Sequence, residues 1–200
     1  MEKNTKNAVF VQRLCAYVID FLIISFVAAL VAMPFMNIDS LNKIDSDMNK
    51  LANELRTQEI DYKTYLTESA VLSYETAKQD GVLVLITIFL EIIYFIVYQF
   101  YKGGQTIGKK FCKIKVISND GELTMNKLIV RSLLINTILL QLIQIIIVSV
   151  VKNPMNYFYI QGSFECIQYI FMIICILMIM FRKDRVSLHD LITNTRVVKI

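Results

Sequence analysis

The chain has 200 residues, of which 56% are hydrophobic and 19% charged, with a formal net charge of +4. A soluble domain is nearer about 45–50% apolar and about 25% charged, so the composition excludes an ordinary soluble fold. Six glycines, two prolines and four cysteines also exclude collagen-like, disordered and disulfide-scaffold chains, and an all-α membrane protein remains.

The hydrocarbon core of a bilayer is about 30 Å thick and takes about 20 mostly apolar residues to cross. Four stretches meet that length and predict transmembrane helices at about 14–35, 82–101, 128–151 and 160–181. Lipid offers no partner for an open strand edge, and each stretch is too long, and lacks the period-two alternation, for a barrel strand. The first follows Lys3, Lys6 and Arg13 and contains Asp20. Its apolar run exceeds the roughly 7–15 residues of a signal-peptide core and holds an acid, so a retained span is expected.

Residues 37–80 form an extracytoplasmic insertion with Leu51, Leu55, Tyr62, Tyr65, Leu66 and Leu72 at loosely helical spacing. One or two amphipathic helices are predicted, either as an external cap that binds a partner or as a solvated insertion packed on the bundle. The second span carries Glu91 near its middle. An acid at that depth without a cationic partner is either a proton site or polar glue to Asn136, Gln141 or Gln144.

The next connection opens on Gly103-Gly104-Gln105-Thr106-Ile107-Gly108-Lys109-Lys110, a near-match to the phosphate-binding pattern GxxxxGK[ST]. The position that must offer magnesium a hydroxyl is Lys110, and the segment follows a membrane helix and leads into a strand, so nucleotide binding is excluded. Instead the glycines turn the chain at the interface. Lys109, Lys110, Lys113 and Lys115 are then expected to face anionic lipid headgroups, each contributing about 1 kcal/mol near the surface. Lys113 to Ile117 alternates polar and apolar, and Asn119-Asp120-Gly121 supplies a hairpin-type turn. The tail from Thr195 to Ile200 also reads as a strand, so a small cytoplasmic β-hairpin or sheet that pairs these two segments is predicted. Between the two, the third span has Arg131 in its first turn and Asn136, Gln141 and Gln144 inside, and the fourth has Glu165 and Gln168 near its start. After it, Ser187 is placed to cap a short helix with Asp190 in its first turn. His189-Asp190 is then either a proton relay at the cytoplasmic mouth or part of a capped turn docked on the bundle.

Short flanks rich in Lys and Arg stay in the cytoplasm. The N-terminal flank, the 102–131 connection, with seven basic and two acidic residues, and the C-terminal tail are basic. The 37–80 insertion has more acids than bases, and the third connection has only Lys152. Four spans with both termini in the cytoplasm satisfy every flank. The positive charge is therefore a topology signal and not a nucleic-acid footprint. The cysteines show no CxxC spacing and there is one histidine. Cys15, Cys112, Cys166 and Cys175 are read as apolar fillers, with no metal, cofactor, disulfide or catalytic cysteine.

A charge at mid-bilayer costs about 2.5–3.5 kcal/mol on insertion scales. Asp20 sits roughly 9 Å into its span, and Arg13 is about 10.5 Å of helix rise away, too far for direct contact. Arg131 enters from the same side and is the expected partner of Asp20. The pair reads either as an ion or proton path or as a link that fixes helix packing.

With these residues placed, the chain resembles the RDD family of membrane proteins, named for one arginine and two aspartates. Arg13 and Asp20 match the arginine and aspartate of the first helix, and Asp190 matches the second aspartate. Gly104, Thr106, Gly108 and Lys109 match a G-x-T-x-G-K stretch. Lys115-Val116, Gly121, the Arg131 that opens the next helix and the closing Thr195 to Val198 follow in order. The resemblance implies transport of ions or small ligands, cation/proton exchange among them. Asp20 would then be the charge that binds or relays, Arg13 and Arg131 its regulators, and Glu91, outside the family pattern, a proton site. Four helices leave little room for a lined pathway, so a homo-oligomer or a membrane partner is expected. The competing expectation is a non-enzymatic scaffold or accessory subunit. An enzyme ranks last, because no paired acids and no serine–histidine arrangement are present.

Overall fold

The computed structural model describes residues 6–200, and Lys3 of the N-terminal flank lies outside them. Helix α1 (Phe10–Ala32) begins one turn earlier than its apolar run predicts and ends in a 3-10 turn at Met33–Phe35. Ala16, Asp20, Ile24, Ala28 and Ala32 recur every four residues on its buried face. The small alanines let neighbouring backbones approach closely, as membrane helix interfaces require. The opposite face shows Leu14, Val18, Leu22 and Phe26 outward.

The insertion folds as two helices, α2 (Ile38–Arg56) and α3 (Tyr62–Gln79). Asn37 caps the first through the Ser40 N–H, and Asp61 caps the second through the Thr64 N–H. Helix α3 packs on the bundle, where Tyr74 and Ala77 meet Ile147 and Tyr157, with the tyrosine ring centroids 5.3 Å apart.

Helix α4 spans Gly81–Tyr101, and its stretch Ile93–Tyr98 is wound as a π-helix. A five-residue helix, α5 (Ile107–Phe111), follows, and then strand β1 (Ile114–Ser118). The stretch predicted as one third span begins at Met125, capped by Thr124, and is two helices, α6 (Met125–Ile135) and α7 (Ile138–Val150). They are bent by 66°. Asn136 leaves the helical region there, with ψ of 163°. The freed carbonyl of Leu134 accepts from Gln168 Nε2 at 3.2 Å. Helix α8 (Pro154–Phe181) starts six residues before its prediction, because Asn153 caps it and Pro154 suits its first turn.

Helices α1, α4 and α8 are long and apolar enough to cross a membrane, and α6 with α7 makes a fourth crossing if the bent pair is one span. The chain closes with α9 (Leu188–Ile192) and strand β2 (Thr195–Lys199). β2 pairs antiparallel with β1, Val116 opposite Val197. The Asn119–Gly121 turn does not make a hairpin: it leads into α6, and the partner strand arrives from the far end of the chain. Ala8, Ala16, Ile114, Val116 and Val197 form a small core that fixes the sheet beneath α1.

Candidate functional site

Two buried acids organise the end of the bundle nearest the sheet. Asp20 is 1% exposed. Its Oδ1 accepts from the Tyr94 hydroxyl at 2.6 Å and the Gly108 N–H at 2.7 Å, and its Oδ2 accepts from the Thr106 hydroxyl at 2.5 Å. The expected pairing with Arg131 is therefore not found. Hydroxyl and amide dipoles answer this charge because the loop before α5 reaches α1 at the depth of Asp20.

The G-x-T-x-G-K stretch explains itself here. Gly104 holds φ of +89°, and a Cβ there would lie 2.0 Å from the Val116 carbonyl oxygen. Thr106 caps α5 through the Lys109 N–H at 3.2 Å while its own proton goes to Asp20. At Gly108 a Cβ would meet the Ala16 carbonyl oxygen at 2.2 Å and Asp20 Oδ1 at 2.8 Å, so only glycine lets α5 lie against α1. The phosphate-loop look has a physical basis: helix-start N–H groups bind an anion, and here the anion is the protein's own carboxylate.

Lys109 departs from expectation. Its Nζ turns inward to Gln99 Oε1 at 3.2 Å and lies 5.8 Å from the Phe95 ring centre. Burial lowers its pKa to about 8, against the opposing pull of Asp20.

Asp190 is fully buried and holds both arginines. Its Oδ2 accepts from Arg13 Nη1 at 2.6 Å and the Ser187 N–H at 3.3 Å, and its Oδ1 accepts from Arg131 Nη1. Arg131 Nη1 also reaches Thr195 Oγ1 at 2.9 Å, and Arg13 Nη2 reaches the Arg185 carbonyl at 2.7 Å. Burial works to raise the Asp190 pKa, but Arg131, His189 and Arg13 together hold it well below the usual carboxylate range. Burial, with Arg131 adding to it, lowers His189 to about 4, so the imidazole is neutral at neutral pH. Its ring nitrogens contact Ser187 Oγ at 2.8 Å and Cys175 Sγ at 3.4 Å.

Glu91 stands apart from both acids. Its Oε1 accepts from the Thr137 hydroxyl at 3.3 Å, and Gln141 Nε2 donates to Thr137 Oγ1 at 2.7 Å. The polar contact of Glu91 thus runs through Thr137 at the helix break, with Gln141 one step behind. Glu91 Oε2 is buried without a hydrogen-bond partner among the described residues.

Between these groups lies a cavity of about 200 Å³, room for about seven waters. Its lining includes Arg13, Asp20, Lys109, Arg131 and His189 among apolar side chains such as Tyr17, Phe95, Ile135, Met172, Ile176 and Ile179. Among the described residues, no group of three or more His, Cys, Asp or Glu side chains is placed to hold a metal. Of the cysteines, Cys175 is buried beside His189, whereas Cys15 and Cys166 are exposed on the bundle surface.

A family model described as RDD family matches residues 7–194, nearly the whole chain. The chain belongs to the RDD family. Arg13 and Asp190, the arginine and second aspartate of the RDD pattern, meet each other, and Asp20 is held separately by the loop of the G-x-T-x-G-K motif. No curated protein and no solved structure matches this RDD chain. Sequence reading missed Tyr94, Gln99, Thr137, Ser187 as a partner of His189, and Thr195 as a partner of Arg131. Only Ser187 and Thr195 had a local signal, since they flank the His-Asp pair and open the closing strand.

Proposed function

We propose that this RDD protein is a small multi-pass transporter of ions or small ligands in the bacterial inner membrane. It crosses four times with both termini in the cytoplasm, and it acts as a homo-oligomer or beside a membrane partner. It is not an enzyme. One observation carries the reading: a partly open cavity of about 200 Å³ whose largely apolar lining includes three cationic side chains, Arg13, Lys109 and Arg131, and Asp20. Charges are costly at membrane depth and concentrate where solutes or ions pass. In this reading, the π-wound turn of α4 and the break between α6 and α7 are where the wall shifts, because both depart from regular helix beside the cavity. Lys110 and Lys113 rest on anionic headgroups at the inner surface.

Liposomes that hold the purified protein test this by sodium, proton and organic-anion flux. Asn136→Leu narrows the cavity without touching a charge and is expected to cut flux at least about tenfold. Undiminished flux in that variant would remove the cavity from the path, and flux that survives Asp20→Asn would remove Asp20 from the mechanism.

A second reading, a scaffold or accessory subunit, is favoured by the saturation of the acids: both oxygens of Asp20 and both of Asp190 already hold donors. It requires that no flux appear and that Asp20→Asn act chiefly on thermal stability in detergent.

A further inference from the structure

The charges around the cavity do not cancel. Of the lining residues, Arg13, Arg131 and Lys109 are cations and Asp20 is an acid, and Asp190, behind the lining, is shared by both arginines. Lys109 Nζ has a neutral amide, Gln99 Oε1, as its hydrogen-bond partner. Arg13 is nine-tenths buried, and its Nε is buried without a hydrogen-bond partner among the described residues. Glu91 does not line the cavity and is engaged at Thr137. The rest of the lining is largely apolar and partly aromatic, Tyr17, Phe95, Met172 and Ile176 among it.

From this we infer that the cavity is a binding site for a small monoanion with an apolar body, its anionic group held by Lys109 Nζ and Arg13 Nε and its body against Phe95 and Met172. An added negative charge completes the pairing of the excess cation and the idle N–H, and hydrogen bonds between charged partners are the strong ones. A cation would face the excess positive charge, and a neutral solute would leave that charge unanswered. The inference rests on the transport reading for the cavity's role and names the class of solute it takes. The same anionic group can come from a free carboxylate or from a phospholipid headgroup.

The probe is the thermal unfolding midpoint of the full chain in phosphatidylcholine nanodiscs with benzoate, benzamide or benzylammonium, which present one ring with three charges. Benzoate at about ten times its Kd is expected to raise the midpoint by roughly 3–5 °C, with little change from the other two. Lys109→Met is expected to weaken benzoate binding at least about tenfold, and Lys109→Arg, which keeps the charge, to retain most of it. If the natural source is a headgroup, phosphatidylglycerol nanodiscs raise the starting midpoint and suppress the benzoate shift, and Lys109→Met cancels both. An equal shift with benzamide, a larger one with benzylammonium, or an undiminished benzoate shift in Lys109→Met would each overturn the inference. Binding without flux in liposomes would sink the transport reading and leave this site standing, while cavity-dependent flux with no anion binding would do the reverse.

Discussion

Removing the Asp20 carboxylate tests how the bundle holds its loop. Asp20→Ala strips the acceptor from three donors, the Tyr94 and Thr106 hydroxyls and the Gly108 N–H. A buried donor left without a partner costs about 1–3 kcal/mol. Tyr94 and Thr106 keep only bonds that their oxygens accept, from the Ile107 and Lys109 N–H groups, but a hydroxyl proton can rotate toward another acceptor, so those two fall at the low end of that range. Gly108 N–H has no such alternative. The sum is about 3–5 kcal/mol, and the lost negative charge also leaves Lys109 less well answered. Asp20→Asn keeps an oxygen for Gly108 and Tyr94 and turns its amide to Thr106, so its cost is expected near 1–2 kcal/mol, the difference between charged and neutral hydrogen bonds. At about 2–4 °C per kcal/mol for a chain of this size, alanine should lower the unfolding midpoint in nanodiscs by roughly 10 °C and asparagine by about a third of that. The assay is thermal unfolding followed by circular dichroism at one fixed scan rate. An alanine variant within about 2 °C of wild type would refute the claim that this carboxylate pins the loop.

Three further outcomes follow from the same geometry. Gly108→Ala forces a methyl into contact with the Ala16 carbonyl and Asp20 and should cost about 1–3 kcal/mol through overpacking, whereas Gly81→Ala, where the added carbon meets open space, should be neutral or mildly stabilising by the same midpoint assay. His189 has its folded pKa lowered from 6.5 to about 4. The unfolded chain therefore takes up a proton that the folded chain refuses, and stability falls as pH drops from about 6.5 to about 4, by up to about 3 kcal/mol. His189→Asn should flatten the midpoint-versus-pH curve over that window, and an unchanged slope would count against a buried neutral imidazole. Glu91→Gln keeps an acceptor for Thr137 and removes an ionisable group with one idle oxygen, so stability should stay within about 1 kcal/mol of wild type, and a loss above about 2 kcal/mol would make Glu91 structural glue.

The apolar spans were legible because lipid-scale hydropathy is summed over about 20 residues and tolerates local detail. The sheet was legible because alternation in 113–117 and in the tail leaves one face needing cover. The break at Asn136-Thr137 was not: in the sequence these are two polar residues inside an apolar run, and only the tertiary partners, Gln168 on the freed Leu134 carbonyl and Glu91 on the Thr137 hydroxyl, show how the bend is held. The partner of Asp20 was misassigned for a related reason. Axial depth placed Arg131 at the right level, but depth says nothing about azimuth around the bundle. Asp190 arrives from the chain's end and binds Arg131 instead. Tyr94 had no local signal, since its role depends on the π-turn that rotates it toward α1.

The two acids are answered by different means, and the difference has a structural cause. Asp190 sits where a surface helix docks beneath the bundle, and two guanidiniums reach it from helices on different sides. Removing Asp190 leaves buried guanidiniums uncompensated, a loss of about 3–5 kcal/mol, whereas removing one arginine leaves the other to answer the acid. Asp20 lies within a span, where a second guanidinium would bring its own desolvation cost. Dipoles avoid that cost because they stabilise the carboxylate without adding a charge, but they must be held at hydrogen-bond distance by close backbone approach. That requirement makes Gly104 and Gly108 as much a part of the acid's environment as its donors, and it turns a loop that looks built for phosphate inward. It also frees Lys109 from pairing with Asp20. The cluster's excess positive charge, and any affinity of the cavity for an anion, then follow from a choice between dipole and ion pair made at one aspartate.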